Sequence, residues 1–293
     1  MKKLIALLLA VMMIVTCFAA CKKNETQDTI PEGPGETGAE GPIDEQEGPG
    51  ETDAEGPVDS DLAYVKDKGT LIVGITDFEP MDYQDAEGKW IGFDADMAAA
   101  FAAKLGVDVE FVEIEWDNKV LELNGMKIDC VWNGMTLGEE VLAAMSCSKA
   151  YCNNAQVVIV PAAKAEQYNT VDAIKDLTFA VEAGSAGEDE VTALNIKTTP
   201  VQTQADALME VKAGTSDAAA IDKLMAAAMV GEGTSYADLT YTVDLNSEEY
   251  GVGFRQGSDL VDELNAFFQE AYADGSMIAC AEKYGVQAAL IAQ

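Results

Sequence analysis

The chain has 293 residues, 52 of them acidic and 18 basic, with no histidine and a formal net charge of −34. A surface this negative repels nucleic acid and anionic lipid headgroups, which argues against both as direct partners. The missing histidines remove the commonest general base and metal ligand, while an apolar share of 48% suffices for a sizeable core in one or two domains.

Residues 1–21 read as a leader. Lys2 and Lys3 form a positive start, and residues 4–18 form an apolar run of 15 residues. That is short of the roughly 20 residues a spanning helix needs, and it suits a signal-peptide core. Phe18-Ala19-Ala20-Cys21 then resembles a bacterial lipobox, with Cys21 as the lipidated residue. Cys17, preceded by Thr16, is the poorer candidate, and an ordinary secretory cleavage near Ala20 is the alternative. Two or more acyl chains on Cys21 would hold the protein stably on a membrane, where one chain gives marginal binding. The expected location is therefore the extracytoplasmic face of the bacterial cytoplasmic membrane.

Residues 22–60 change composition, with five of the eight prolines, seven glycines and twelve acidic residues. Glu32-Gly33-Pro34-Gly35-Glu36-Thr37 recurs from Glu47, and Ala39-Glu40-Gly41-Pro42 recurs from Ala54, a period of 15 residues. The units carry almost nothing apolar to bury, so a disordered acidic tether is expected, about 35 Å in root-mean-square reach if glycine-like and longer through charge repulsion. Prolines interrupt any regular calcium-ligand spacing.

From residue 61 strand-like and helix-like segments alternate. Residues 70–76 read as a buried strand, and 93–105 as an alanine-rich helix with Asp94 at its N-cap. A strand at 107–112, a helix at 117–123, a strand at 128–132, a short helix at 139–145 and a strand at 156–160 follow. The pattern then restarts with strands at 177–181, 199–202 and 218–221 and helices at 187–194, 205–212 and 223–229. Such alternation predicts parallel sheets flanked by helices, and two runs predict two α/β lobes. Ligands of such sheets sit beyond the carboxyl ends of the strands.

A series of motifs then carries a resemblance. Gly69-Thr70-Leu71-Ile72-Val73-Gly74, Phe78-Glu79-Pro80-Met81, Gly92-Phe93-Asp94-Ala95-Asp96-Met97, Glu115-Trp116-Asp117 and Gly134-Met135-Thr136 come first. Ser148-Lys149-Ala150-Tyr151, Gly184-Ser185-Ala186-Gly187, Asp217-Ala218-Ala219-Ala220-Ile221-Asp222 and Tyr250-Gly251-Val252-Gly253-Phe254 complete it. In order and spacing, over about residues 62–288, they resemble the family 3 solute-binding proteins of amino-acid ABC transporters. The resemblance implies a two-lobed, type II periplasmic-binding-protein-like α/β fold, with a cleft between lobes joined by two crossover strands. Lobe one would be 61–158 plus 248–293, and lobe two 159–247. The chain would work as a monomer with an ABC permease as membrane partner, binding an amino acid or amine without a cofactor.

By the same resemblance, Phe78 and Trp116 are the aromatic wall of the ligand site, each with ordinary core packing as the alternative, and Asp77 contacts a polar ligand side chain. Asn133, Gly134, Met135 and Thr136 offer backbone groups and a hydroxyl. Gly134 suits a close approach because it has no Cβ. Asp222, after a buried strand, is either a helix N-cap or the partner of a ligand ammonium. Ser185, Ala186 and Gly187 open a helix, where free amides and a hydroxyl make an anion site for a ligand carboxylate. The departure is Val141, where the family carries an arginine that clamps the α-carboxylate, and Glu182 stands where some relatives have a lysine. Arg255, the sole arginine, lies outside the matched positions. The ligand is then either an amino acid held by Ser185 and Thr136, or an amine without a free α-carboxylate.

Cys130, Cys147, Cys152 and Cys280 show no C-x-x-C pair, so a zinc site is not expected. A disulfide, with Cys147–Cys152 closest in sequence, and free thiols both stay open. Glu182 or Asp222 could serve acid–base work of a dehydratase type, but no His-containing catalytic set exists, so no enzyme is expected. A sensory lipoprotein that never delivers cargo would look the same.

Overall fold

The computed structural model describes residues 60–293, and the leader with Cys21 and the acidic repeat lie outside the described residues. Ser60 caps α1 (Asp61–Lys68) by accepting from the Ala63 amide at 3.0 Å. There follow β1 (Thr70–Ile75), the ribbon of β2 (Tyr83–Gln84) and β3 (Trp90–Ile91), α2 (Phe93–Leu105), β4 (Asp108–Glu113), α3 (Lys119–Asn124), β5 (Cys130–Thr136), α4 (Glu139–Ala144), β6 (Ser146–Cys147) and β7 (Cys152–Asn154). Next come β8 (Gln156–Pro161), α5 (Val171–Ile174), β9 (Thr178–Glu182), α6 (Ala186–Ala193), β10 (Lys197–Val201), α7 (Gln204–Ala213), β11 (Ala218–Asp222), α8 (Lys223–Met229) and β12 (Leu239–Asp244). The chain closes with β13 (Glu248–Phe254), α9 (Leu260–Ala273) and α10 (Ser276–Tyr284).

Two main sheets result. The first has the order β4-β1-β5-β13-β6, with β7 also paired to β13, and the second the order β10-β9-β11-β8-β12. Neither is wholly parallel, in contrast to the expectation from the alternating pattern. β13 runs antiparallel to β5, and β8 antiparallel to both β11 and β12. The reason is connectivity: the chain leaves the first sheet at Ala155 and returns between β12 and β13. β8 and β13, the first strands after each crossing, lie antiparallel to the strands beside them. The first crossing therefore precedes residues 156–158, which pair with β11 in the second sheet rather than closing the first lobe.

Burial explains the elements. β1 sends Leu71, Val73 and Ile75, all fully buried, into one core with Ala98, Phe101 and Ala102 of α2. That core is completed by Trp132 of β5, edge-on to Phe268 of α9 at 5.6 Å between ring centroids. In the second sheet β8, β9 and β11 are apolar on both faces because helices cover both. Val158, Val160, Phe179 and Val181 feed one cluster, and Val157, Ile159, Ala180 and Ile221 the other. The α2 N-cap is Gly92 rather than Asp94, whose carboxyl is drawn inward instead.

The sole arginine is a structural staple. The Arg255 guanidinium donates to both Asp61 carboxylate oxygens at 3.0 and 3.2 Å, to the Ile128 carbonyl at 2.8 Å and to the Leu123 carbonyl at 3.3 Å. It also lies 3.5 Å from the fully buried Asp129 carboxylate. Removing one partner of a buried ion pair leaves uncompensated charge. Arg255→Ala should therefore lower stability by about 3 kcal/mol in urea denaturation, with ligand affinity within twofold of wild type; a loss below 0.5 kcal/mol would contradict the staple.

Candidate functional site

The carboxyl ends of β5, β9 and β11 converge on a cavity of about 470 Å³, within the size range of small-ligand sites. The first lobe supplies Trp116, Asp117 and Lys119, the segment from Asn133 to Thr136, and α4 with its approach, including Glu139, Glu140 and Val141. The second supplies Gln156, Glu182, Gly184, Ser185, Ala186, Asp189, Gln204 and Asp222. The lobes touch at one edge. Lys119 Nζ donates to the Gly184 carbonyl at 2.9 Å and to the Trp116 carbonyl at 3.2 Å. Gly184, at φ +71°, fits there because a Cβ would stand 2.8 Å from the Asp117 Cα.

Asp222, at the end of β11, is buried and engaged by neutral donors. Asn154 Nδ2 donates to its Oδ1 and Gln204 Nε2 to its Oδ2, each at 2.5 Å, and the Tyr250 hydroxyl donates to Oδ1. Its own amide donates to Gln204 Oε1 at 2.8 Å. Its side chain makes no N-cap bond to α8. Burial, then the Glu248 charge, pushes its carboxyl up to about 7, against the pull of Tyr250 and Gln204. Glu248 accepts from Asn154 at 2.6 Å and Gln156 at 2.9 Å.

Glu182, at the end of β9, is 2% exposed and its Oε1 has no hydrogen-bond partner. Burial, then the Asp222 charge, pushes it up to about 8, with Lys119 and the polar side chains of Gln204 and Thr76 opposing. Lys119 itself is lowered by burial, against the field of Glu182, Asp117, Asp189 and Glu140. Six acidic side chains and one lysine line the cavity among the described residues.

Some of the groups expected to hold a carboxylate are engaged, although the Ser185 hydroxyl keeps its own proton to donate. The Ser185 hydroxyl caps α6, accepting from the Glu188 amide at 3.1 Å, and Glu188 Oε2 accepts from the Gly184 amide at 2.8 Å. The Gly134 amide donates to Asp94 Oδ2 at 2.7 Å, which also takes the Tyr151 hydroxyl at 2.7 Å. Asn133 binds Thr76 through Oδ1 and gives Nδ2 to the Thr76 carbonyl and to Asp82 at 2.7 Å. Burial raises Asp94 to about 7 and Asp82 well above the carboxylate range. Thr136 lines the cavity and is half-buried.

Three expected site residues lie off this cavity. Phe78 is buried, edge-on to Tyr250 at 6.3 Å between ring centroids, and it fills the space a Gly134 side chain would need. Asp77 is exposed as a residue, and partial desolvation of its carboxyl, then the charges of Glu113 and Asp206, raises its pKa. Gly187 packs α6 on the sheet, where a Cβ would stand 2.9 Å from Gln156 Oε1. Conversely, Lys119, Gln156 and Gln204 were not singled out from sequence. Gln156 opening an otherwise apolar strand was the one available signal. All four cysteines in the described residues are free, and burial raises Cys147 to about 11 and Cys280 to about 12. No group of three metal-ligating side chains exists among the described residues.

Comparison with known proteins bears on this geometry. The model of the bacterial extracellular solute-binding proteins, family 3, matches residues 71–287. The L-cystine-binding protein TcyJ of Escherichia coli (strain K12) is 28% identical over 225 residues, 75% of this chain and 84% of that protein. A mutant of ArgBP from T. maritima superposes with a TM-score of 0.71 at 30% identity, covering 77% of this chain and 99% of that one. The ancestral amino acid-binding protein AncCDT-1, a precursor of cyclohexadienyl dehydratase, does so with a TM-score of 0.71 at 29% identity, covering 77% and 99%. The family and these relatives are solute-binding proteins, and their fold is the two-lobed type II periplasmic one.

The raised carboxyls fix a pH trend. Glu182, Asp222 and Asp94 hold protons in the folded state at pH values where the unfolded chain, near 4.5 and 3.8, has released them. Their contribution to stability is complete below those unfolded values and is lost as pH rises through about 7 to 8. The ligand-free protein should therefore melt at progressively lower temperature from pH 5 to pH 8.5, and Glu182→Gln should flatten the slope. A melting temperature that climbs over that interval would contradict the assignment.

Proposed function

The chain belongs to the family 3 bacterial extracellular solute-binding proteins, and we propose that it is the substrate-binding component of an amino-acid-type ABC importer. It works outside the cytoplasm, capturing a small amino acid or amine-bearing solute between two lobes and presenting it to a membrane permease. Cys21 carries the lipid anchor, the acidic segment 22–60 is the tether, and the receptor acts as a monomer.

The carrying observation is Asp222, a buried carboxylate at the carboxyl end of β11 that lines the cavity. A ligand ammonium there would complete the set of donors around it, and charge-assisted bonds of this kind are the strong ones. Trp116 offers a flat apolar wall in the same cavity. The contacts of Lys119 and Gly184 across the cleft edge fit closure of two lobes about a ligand.

Calorimetry with the twenty amino acids and a panel of amines should give heat from at least one amine-bearing compound. Asp222→Asn should weaken that binding by at least tenfold with an unchanged circular dichroism spectrum. Complete absence of heat would contradict the reading. Cys21→Ala should move the protein from the membrane fraction to the medium; retention would contradict the anchor.

A further inference from the structure

We propose that the cleft selects a small organic cation carrying one or more amines and no free carboxylate, with Glu182 and Asp222 as its anchors. This rests on the reading above, that the cavity takes an amine-bearing solute, and narrows its class.

Two independent observations converge. The first is an unmet acceptor. Glu182 lines the cavity, is 2% exposed, and leaves Oε1 without any donor. A buried acceptor is costly unless a donor meets it, and a cationic donor would also favour the ionised form of this carboxyl. Lys119, the one ammonium in the cavity lining, directs Nζ to two backbone carbonyls and makes no hydrogen bond to Glu182.

The second is how little the cavity offers an anion. Val141 stands in the cavity wall and offers no donor. The Gly134 amide is engaged by Asp94 and the Gly184 amide by Glu188, which leaves an anion the neutral hydroxyls of Thr136 and of Ser185, the latter accepting from the Glu188 amide but keeping its own proton. The remaining first-turn amides of α6, those of Ala186 and Gly187, share their turn with Glu188 and Asp189. A ligand carboxylate would sit among Asp117, Glu139, Glu140, Glu182, Asp189 and Asp222 with a single lysine to offset them. Asp117, Glu139, Glu140 and Asp189 are exposed and act through water, whereas the buried Glu182 and Asp222 ionise more readily beside a cation and less readily beside a second anion. Acidic side chains outnumber cationic ones six to one in the lining, so the ligand that fits it best presents donors.

The test uses pairs differing only by the α-carboxylate: lysine and cadaverine, ornithine and putrescine, arginine and agmatine, tyrosine and tyramine. Calorimetry on the mature protein should show the decarboxylated member of at least one pair binding tenfold or more tighter than its amino acid. Glu182→Gln should weaken that amine at least tenfold while its circular dichroism spectrum stays as in wild type. An amino acid binding as tightly as its amine, or tighter, overturns the proposal and leaves the solute-capture reading standing. So does wild-type amine affinity in Glu182→Gln. Silence from all four pairs also overturns it, and silence from the wider panel of amino acids and amines removes the solute-capture reading as well.

Discussion

Asp222 is a carboxylate buried where both chain crossings converge, and neutral donors hold it. Its partners come from β7 through Asn154, from α7 through Gln204 and from β13 through Tyr250. Both lobes are therefore tied to one oxygen pair, and Glu248 adds a second carboxylate through the same Asn154. Amide and hydroxyl donors lower the cost of a buried charge without cancelling it. The consequence is a raised pKa at Asp222 and, one strand away, at Glu182. A cation arriving there would favour the ionised form of both carboxyls.

Lys119 sets the state of the cleft. Its stem lies with its ammonium 4.8 Å from the Trp116 ring centroid, and that ammonium closes one edge through Gly184. Burial lowers its pKa, and the surrounding acidic side chains offset that only in part. On the proposed selectivity, a lining with one lysine among six acidic side chains would draw in cations and discriminate against anions. Specificity here is built as much from what repels as from what attracts.

Much of the frame was legible in the sequence. The α2 helix and the buried strands at β1, β8, β9 and β11 follow from apolar runs with clear breaks, because burial on both faces leaves a strong local pattern. Strand direction was not legible, since β8 and β13 reverse only through the crossings, which are a long-range matter. α9 and α10 went unread although α9 is amphipathic, with Leu260, Leu264, Phe267, Phe268 and Ala271 buried at helical spacing. The site divides the same way. The strand-end positions Gly134, Ser185 and Asp222 could be read from local turns, and the structure brings them to one cavity. The placement of Phe78 against Tyr250 and of Asn154 against Asp222 depends on partners 172 and 68 positions away. No local pattern reports such contacts.

The central claim is that an unneutralised acidic cleft, not a carboxylate clamp, determines what this protein carries. Mass spectrometry of the small molecule released on denaturing protein purified from its own cells, without dialysis, tests it most directly. The expected result is an amine cation without a carboxyl group, at close to one per chain. Recovery of an amino acid with a free α-carboxylate at that ratio would contradict it.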